Sequence, residues 1–172
     1  DNENLNGFCK MPLLPRAARA ALHFWEEPCI SGKNGSGTVF FSGCNLDCAF
    51  CQNYGVSHNR LGKAVTYERL ADIFKELEEK GAENINLVTP SHYWYAVIKA
   101  LDIYKPKIPI VYNTGGYDTV NAIKALNGYV DIYLSDLKYL TAERAFTYSG
   151  AENYPEYAKA SIKEEYIQQP KC

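Results

Sequence analysis

The chain has 172 residues, of which 47% are hydrophobic, and its formal net charge is only −2. This length suffices for one domain with a sizeable core, and the composition is typical of a globular protein. The charge does not indicate a surface for nucleic acid. No apolar stretch is long enough to span a membrane, and the chain does not start with a secretion signal. We therefore expect a cytoplasmic protein with neither nucleic acid nor a membrane as a partner.

The first part of the chain differs in composition from the rest. Residues 1–37 contain three prolines and a glycine-rich tract at 31–37, which predict a loop-rich lead-in with one short helix at 17–25. An apolar run at 38–42 predicts the first strand. We therefore place a domain boundary here, with an α/β domain over residues 38–172.

Strands and helices alternate four times from the first strand onward. Further strands are predicted at 84–88, 108–112 and 130–134. The intervening helices are predicted from an N-cap at Thr66 to Gly81, from an N-cap at Ser91 to the residues before Pro106, and at 119–126. Residues from 141 onward are predicted to be helical. Crossovers of this length join parallel strands, so we expect an α/β fold with a parallel sheet in a partial (β/α) barrel of about four βα units.

Three cysteines lie close together directly after the first predicted strand: Cys44, Cys48 and Cys51. Three thiolates on such a short loop can wrap one iron–sulfur cluster. A cubane has four irons, so three protein ligands would leave one iron open to an exogenous ligand. The remaining cysteines are expected to be small buried side chains or incidental thiols: Cys9, Cys29 and Cys172.

Small polar residues follow each of the other predicted strands. The three segments are 89–92, 113–116 and 135–138. Ligands of parallel α/β proteins bind at the carboxyl ends of the strands. We therefore expect these segments and the cysteine loop to form one shared site.

The cysteine spacing, with the aromatic Phe50 before the last cysteine, resembles the signature of the radical S-adenosylmethionine (SAM) superfamily. Within it the chain resembles an activating-enzyme-like subgroup related to pyruvate formate-lyase activating enzyme. Nearly the whole chain takes part, through segments 23–28, 35–53, 84–90, 112–117 and 131–139. Barrels of this superfamily have six βα units and such relatives continue with further strands. We therefore expect this chain to be truncated and a poor catalyst on its own.

The resemblance implies a function. Cys44, Cys48 and Cys51 would hold a [4Fe–4S] cluster, and SAM would fill the open position of the fourth iron. One electron would cleave SAM to a 5′-deoxyadenosyl radical that abstracts a hydrogen atom from a substrate. The chain would then be an oxidoreductase that activates a glycyl radical enzyme or modifies another substrate. The implied partners are a one-electron donor, such as flavodoxin or ferredoxin, and a protein or small-molecule substrate.

The resemblance also implies SAM contacts in the segments that follow the first and second predicted strands. Phe50 would meet the adenine face, although a ring packed in the core is the alternative. Thr89 and Ser91 stand where many members carry the Gly-Gly-Glu that binds the methionine amino group. Without a carboxylate there, backbone carbonyls and the Ser91 hydroxyl would accept from the ammonium.

The last two strand tips would complete the cofactor site. Asn113 and Thr114 stand where glycyl-radical activating enzymes carry Asp-Thr. Asp136 and Lys138 match their Asp-Leu-Lys, with Lys138 pairing with the methionine carboxylate and Asp136 binding the ribose side, a cation or the lysine itself. Alternation would place both on one face of the strand and Leu137 on the other, toward the helices. The alternative for the pair is a surface salt bridge.

Two other functions remain open from the residues alone. A cluster-carrying or electron-transfer protein that has lost catalysis would keep the same three cysteines. A structural zinc module would use Cys29 or His58 as a fourth ligand. Bound iron and sulfide exclude the zinc module, and cleavage of SAM on reduction separates the enzyme from the electron carrier.

Overall fold

The computed structural model describes residues 9–170. The strands are β1 (Arg16–His23), β2 (Ser36–Phe41), β3 (Lys63–Ala64), β4 (Ile85–Val88), β5 (Ile110–Thr114) and β6 (Ile132–Ser135). The helices are α1 (Pro28–Ser31), α2 (Tyr54–Ser57), α3 (Tyr67–Glu79), α4 (Trp94–Ile103), α5 (Val120–Ala125), α6 (Ala142–Ser149) and α7 (Tyr154–Gln168). The strands form one sheet in the order β3, β1, β2, β4, β5, β6.

The four predicted strands are the parallel part of this sheet. β2 pairs with β4, β4 with β5, and β5 with β6, all in parallel. Helices α3, α4 and α5 provide the crossovers between them. The predicted fold class, an α/β fold with about four βα units in a partial barrel, is therefore confirmed.

The predicted helix at 17–25 is wrong, because these residues form strand β1. This strand pairs antiparallel with β2, with Ala20 opposite Val39, and also pairs with the short strand β3. Alanine, arginine and leucine favour helix in isolation. Here pairing with the otherwise open edge of β2 outweighs that propensity. The predicted domain boundary at residue 38 stays a prediction, although β1 shares a sheet with β2.

The main core lies between one face of the sheet and the crossover helices. The sheet contributes alternate buried residues of its parallel strands: Val39, Phe41, Ile85, Leu87, Ile110 and Tyr112. Helix α3 contributes the residues that its spacing predicts: Leu70, Ile73, Phe74 and Leu77. Within residues 9–170, no helix combines the length and the hydropathy needed to cross a membrane.

A second apolar cluster, the loop cluster, joins the segment after β2 to the last two helices. Its buried members are Leu46, Cys48, Tyr139, Ala145, Ala151, Tyr154 and Ala158, with Cys44, Cys51 and Tyr117 packed against them. The helical prediction from residue 141 onward agrees with α6 and α7. Because these helices bury the loop cluster, they determine where the cysteine loop lies.

Ser91 is not the helix cap that its position predicts. It begins a 3-10 turn, Ser91–Tyr93, and α4 starts only at Trp94 without a side-chain cap. The Ser91 hydroxyl is instead 2.8 Å from Thr114 Oγ1 and 3.0 Å from Asp118 Oδ2. A hydrogen bond from the hydroxyl to a carboxylate is stronger than the one that the hydroxyl would accept from a backbone N–H as a cap. The Ser91 side chain therefore points toward Asp118.

The predicted N-cap of α3 is present, and it can be tested. Thr66 Oγ1 accepts from the Arg69 N–H at 3.2 Å. We expect Thr66→Ala to lower the free energy of unfolding by about 1 kcal/mol, because one N–H of the first turn loses its partner. Urea denaturation measures this. Thr66→Ser is the matched control and should retain most of the stability; equal stability of Thr66→Ala and the unaltered chain would contradict the cap.

Candidate metal centre

The predicted strand tips lie along one edge of the sheet. Phe40 aligns with Val88, Val88 with Asn113, and Asn113 with Leu134 in the parallel register. The next residue of each strand therefore lies at the carboxyl edge, and the cysteine loop leaves β2 from the same edge. Across β5 and β6, Thr114 aligns with Ser135. The sheet thus brings all four predicted segments to one side of the molecule.

The cysteine loop is held by hydrogen bonds to two neighbouring segments. The Asp47 and Ala49 N–H groups donate to the Ser149 and Tyr148 carbonyls at the end of α6, at 3.1 and 2.9 Å. The last carbonyls of a helix have no partner within the helix, so the loop satisfies them. Asn45 Nδ2 donates to the Tyr117 carbonyl at 2.5 Å, which links the loop to the segment after β5.

The three predicted ligands are free thiols that share the loop cluster. Burial raises the pKa of Cys44 to about 11, and the neighbouring Cys48 and Cys51 add to the shift. Burial also raises the pKa of Cys48, opposed in part by the nearby Tyr139 hydroxyl and by the Lys138 ammonium. These mutual effects require the sulfurs and Lys138 to lie close to one another, because such interactions fall with distance.

The donor set fits an iron–sulfur cluster. Thiolates are the soft ligands that iron–sulfur clusters use, and an apolar surrounding excludes competing water. In the part of the chain described, no three Cys, His, Asp or Glu side chains converge as a preformed ligand set. Two of the thiols instead contact local polar atoms: Cys51 Sγ lies 3.2 Å from Ser57 Oγ, and the Leu46 N–H donates to Cys44 Sγ at 3.4 Å.

Asp136 and Lys138 form the predicted pair beside the cysteine loop. Lys138 Nζ lies 2.6 Å from Asp136 Oδ2, and the lysine side chain is 25% exposed against 65% for the aspartate. A Cβ on Gly115 would meet both Leu46 of the loop and Lys138, at 3.1 and 3.3 Å. Glycine at this position therefore allows Lys138 to approach the loop.

The segment around this pair is organised by a tyrosine that the sequence did not single out. Tyr154 OH accepts from the Lys138 N–H and lies 2.8 Å from the carbonyls of Gly115 and Asp136. Leu137 is 47% exposed, so the prediction that it faces the helices is wrong. Strand β6 ends at Ser135, and the alternation of a strand does not continue into the loop.

Ser91 and Thr114 are engaged in a buried network centred on Asp118. The carboxylate, 3% exposed, accepts from Thr114 Oγ1 at 2.6 Å, from Ser91 at 3.0 Å and from Tyr112 OH at 3.0 Å. Burial raises the pKa of Asp118, and the three hydroxyl donors oppose that shift. The sequence reasoning missed Asp118, which lies in the loop before α5. Its spacing four residues after Thr114 was the available signal.

The remaining predicted contacts lie at the open side of the edge. Phe50 is 57% exposed and meets only the edge of Tyr139 among the aromatic rings described, with ring centroids 6.3 Å apart. Thr89 has a positive φ of 55°, which is strained for a β-branched residue, and its N–H donates to the Asn113 carbonyl at 2.8 Å. Strain of this kind is typical of functional sites. Asn113 itself is half-buried.

The fourth ligands proposed for a zinc module do not fit. Cys29 lies on α1, whose Ile30 carbonyl accepts from Asn84 before the start of β4, so it is at the amino edge of the sheet. The six residues of β2 span roughly 20 Å, and Cys29 and the cysteine loop lie at opposite ends of this strand. His58 is closer, but both ring nitrogens have partners, Ser57 Oγ at 2.7 Å and Asp47 Oδ1 at 2.5 Å.

Comparison with known proteins identifies the family. Residues 38–163 match the sequence model of the radical SAM superfamily. An uncharacterized protein of Methanocaldococcus jannaschii is 30% identical over 179 aligned residues, which cover 97% of this chain and 52% of that protein. The chain therefore spans about half the length of the curated relative that it matches. The superfamily match implies a [4Fe–4S] cluster and SAM as cofactors.

A buried histidine beside the cysteine loop should make stability depend on pH. His92 Nε2–H donates to the Ser42 carbonyl at 2.8 Å, and its buried Nδ1 has no partner among the described residues. Burial lowers the pKa of His92 from its usual 6.5 to about 4, although the hydrogen bond to Ser42 opposes this. Between these values the unfolded chain binds a proton that the folded chain does not, so stability falls as the pH falls from 6.5 to 4.

We expect this group to remove about 2 kcal/mol of stability between pH 7 and pH 4.5. Urea denaturation at the two pH values measures it. His92→Gln keeps a donor for the Ser42 carbonyl but does not titrate, so its stability should fall less over the same interval. The same fall in both proteins would contradict the buried, neutral histidine.

Proposed function

Because this chain belongs to the radical SAM superfamily, we propose that it is a radical SAM enzyme that cleaves SAM reductively and uses the resulting 5′-deoxyadenosyl radical for hydrogen abstraction. The observation that carries the proposal is the set of three free thiols, Cys44, Cys48 and Cys51, in one apolar cluster at the carboxyl edge of a parallel sheet. A [4Fe–4S] cluster bound there would supply the electron for cleavage and an open iron for SAM.

The chain's own residues would bind and orient the cofactor. Lys138 lies close enough to Cys44 and Cys48 to lower the pKa of both thiols against the effect of burial. An ammonium in this position would pair with the methionine carboxylate of SAM, and Asp136 would keep that ammonium in place. Phe50, exposed next to Cys51, would cover the adenine face.

The tips of β4 and β5 would contribute mainly through their backbones. The hydroxyls of Ser91 and Thr114 are engaged with Asp118, so they would position the turn and the strand end. The strained turn at Thr89 follows β4 at this edge, where its backbone carbonyls would accept from the methionine ammonium. Asn113 would line the same edge between these tips.

Within the superfamily we propose the activating-enzyme-like role, with a glycyl radical enzyme or another protein as the substrate. The Asp-Leu-Lys segment that contains Asp136 and Lys138 supports this role. A one-electron donor such as flavodoxin or ferredoxin would reduce the cluster. The whole enzyme would need further barrel strands, because β6 is paired on one side only among the described residues.

The first experiment concerns the three cysteines. The anaerobically reconstituted chain should contain about four iron and four sulfide per protein, with a broad visible absorption. Any one of Cys44→Ala, Cys48→Ala and Cys51→Ala should remove that absorption or leave a labile remnant, because two thiolates cannot hold the cluster. Iron analysis and absorption spectra measure both. Reduction with dithionite in the presence of SAM should then release methionine and 5′-deoxyadenosine.

Cys29→Ala is the matched control, because it also removes one thiol but at the amino edge of the sheet. It should bind as much iron as the unaltered chain. Loss of iron in Cys29→Ala with retention in Cys48→Ala would refute the ligand assignment. A stable cluster without any cleavage of SAM would favour the electron-transfer function instead.

The second experiment concerns Lys138. In the cluster-loaded chain, Lys138→Ala should weaken SAM binding by about 1.5–3 kcal/mol, the usual contribution of a charged hydrogen bond. Anaerobic equilibrium dialysis with labelled SAM measures the dissociation constant. Lys75→Ala, which removes a surface ion pair with Glu79 on α3, is the control and should bind SAM normally. If both variants bind like the unaltered chain, Lys138 and Asp136 form only a surface salt bridge.

A further inference from the structure

A chain of hydrogen bonds leads from one cysteine of the loop to a carboxylate within the same loop. Cys51 Sγ lies 3.2 Å from Ser57 Oγ, and Ser57 Oγ lies 2.7 Å from His58 Nδ1. His58 Nε2 in turn lies 2.5 Å from Asp47 Oδ1. These hydrogen bonds begin and end in the cysteine loop, because Asp47 directly precedes Cys48. The Ser57 hydroxyl thus links the Cys51 sulfur to two further side chains.

The short helix α2 makes this arrangement possible. It turns the backbone directly after the cysteine loop, so that Ser57 returns to Cys51 over six residues. The Gly43 N–H donates to the Val56 carbonyl at 3.0 Å, which joins the helix to the start of the cysteine loop. The Tyr54 ring stacks on the His58 ring at 4.2 Å with an angle of 9° between the planes. Both ends of α2 are therefore fixed against the loop.

We infer that Ser57 is a positioning residue for the cluster, held in place by His58 and Asp47, and that its hydroxyl donates a hydrogen bond to the Cys51 sulfur. This inference rests on the proposed function, since it takes Cys51 as a ligand. The partners of a metal ligand orient it and tune the metal.

The charge of a bound thiolate supports this direction of the hydrogen bond from Ser57. The Asp47 carboxylate only accepts, so His58 Nε2 must carry a proton toward it. The Ser57 hydroxyl then has one proton and two acceptors within reach, His58 Nδ1 and the Cys51 sulfur. A thiolate is a charged acceptor, and hydrogen bonds to charged groups are the stronger ones.

Two measurable consequences follow for the bound cluster. A hydrogen bond to a ligand sulfur offsets negative charge, which favours the reduced cluster and raises its reduction potential. It also holds the sulfur in position for the iron. Loss of such a partner weakens metal binding about 10- to 100-fold in other proteins. Removal of the Ser57 hydroxyl should therefore lower the potential and speed the loss of iron.

The experiment compares variants of the whole chain after anaerobic reconstitution. Ser57→Ala should lose iron to a chelator at least about 10-fold faster than the unaltered chain and should show a more negative midpoint potential. A redox titration followed by electron paramagnetic resonance measures the potential, and absorption measures iron loss. Ser57→Thr keeps a hydroxyl and should restore both values. His58→Phe keeps the stack on Tyr54 but cannot hold Ser57, so it should shift both values in the same direction.

Ser31→Ala is the matched control, because it removes a buried serine hydroxyl on α1, at the amino edge of the sheet. It should leave iron loss and potential unchanged. If Ser57→Ala and His58→Phe bind the cluster with the potential and chelator rate of the unaltered chain, the inference is wrong and the proposed function stands. If the unaltered chain binds no iron, the proposed function fails and this inference with it.

Discussion

The position of the cysteine loop depends on two backbone hydrogen bonds to the end of α6. The Asp47 and Ala49 N–H groups satisfy carbonyls that the helix leaves without partners, and the loop side chains then bury themselves against α6 and α7. Helix α7 is tied to the opposite part of the edge, where Ser161 and Tyr154 bond the carbonyls of the β5 tip. The last two helices therefore set the distance between the predicted metal ligands and the predicted cofactor contacts, although they contribute no ligand themselves.

Electrostatics explain why the polar residues of this edge are arranged as they are. Burial disfavours the charged forms of Cys44 and Cys48, so thiolates at these two positions need compensating positive charge. Iron would supply most of that charge, and the Lys138 ammonium contributes more. The buried carboxylate of Asp118 is stabilised differently, by hydrogen bonds from three hydroxyl groups. One edge of the sheet thus contains a network satisfied by the protein alone and a set of thiols that is suited to a metal.

Local signals in the sequence predicted most of the parallel sheet. The Thr66 cap and the apolar spacing of α3 were predicted because both act within one helix. Strand β1 was not, since its alanine-rich sequence favours helix and only pairing with β2 makes it a strand. The prediction that Ser91 caps a helix is wrong because Asp118, its hydrogen-bond partner, lies 27 residues further along the chain. The contacts of His58 with Asp47 and Ser57 were not predicted, since they require the turn of α2. The cysteine spacing needed no fold to be recognised.

The central claim is that three cysteines hold a cluster with one iron open to SAM. Mössbauer spectroscopy of the chain reconstituted with iron-57, before and after addition of SAM, tests this claim most directly. We predict that about one quarter of the iron signal changes when SAM is added, because only one of the four irons lacks a cysteine ligand. A spectrum in which no iron site responds to SAM, in a chain that binds about four irons, would contradict the account.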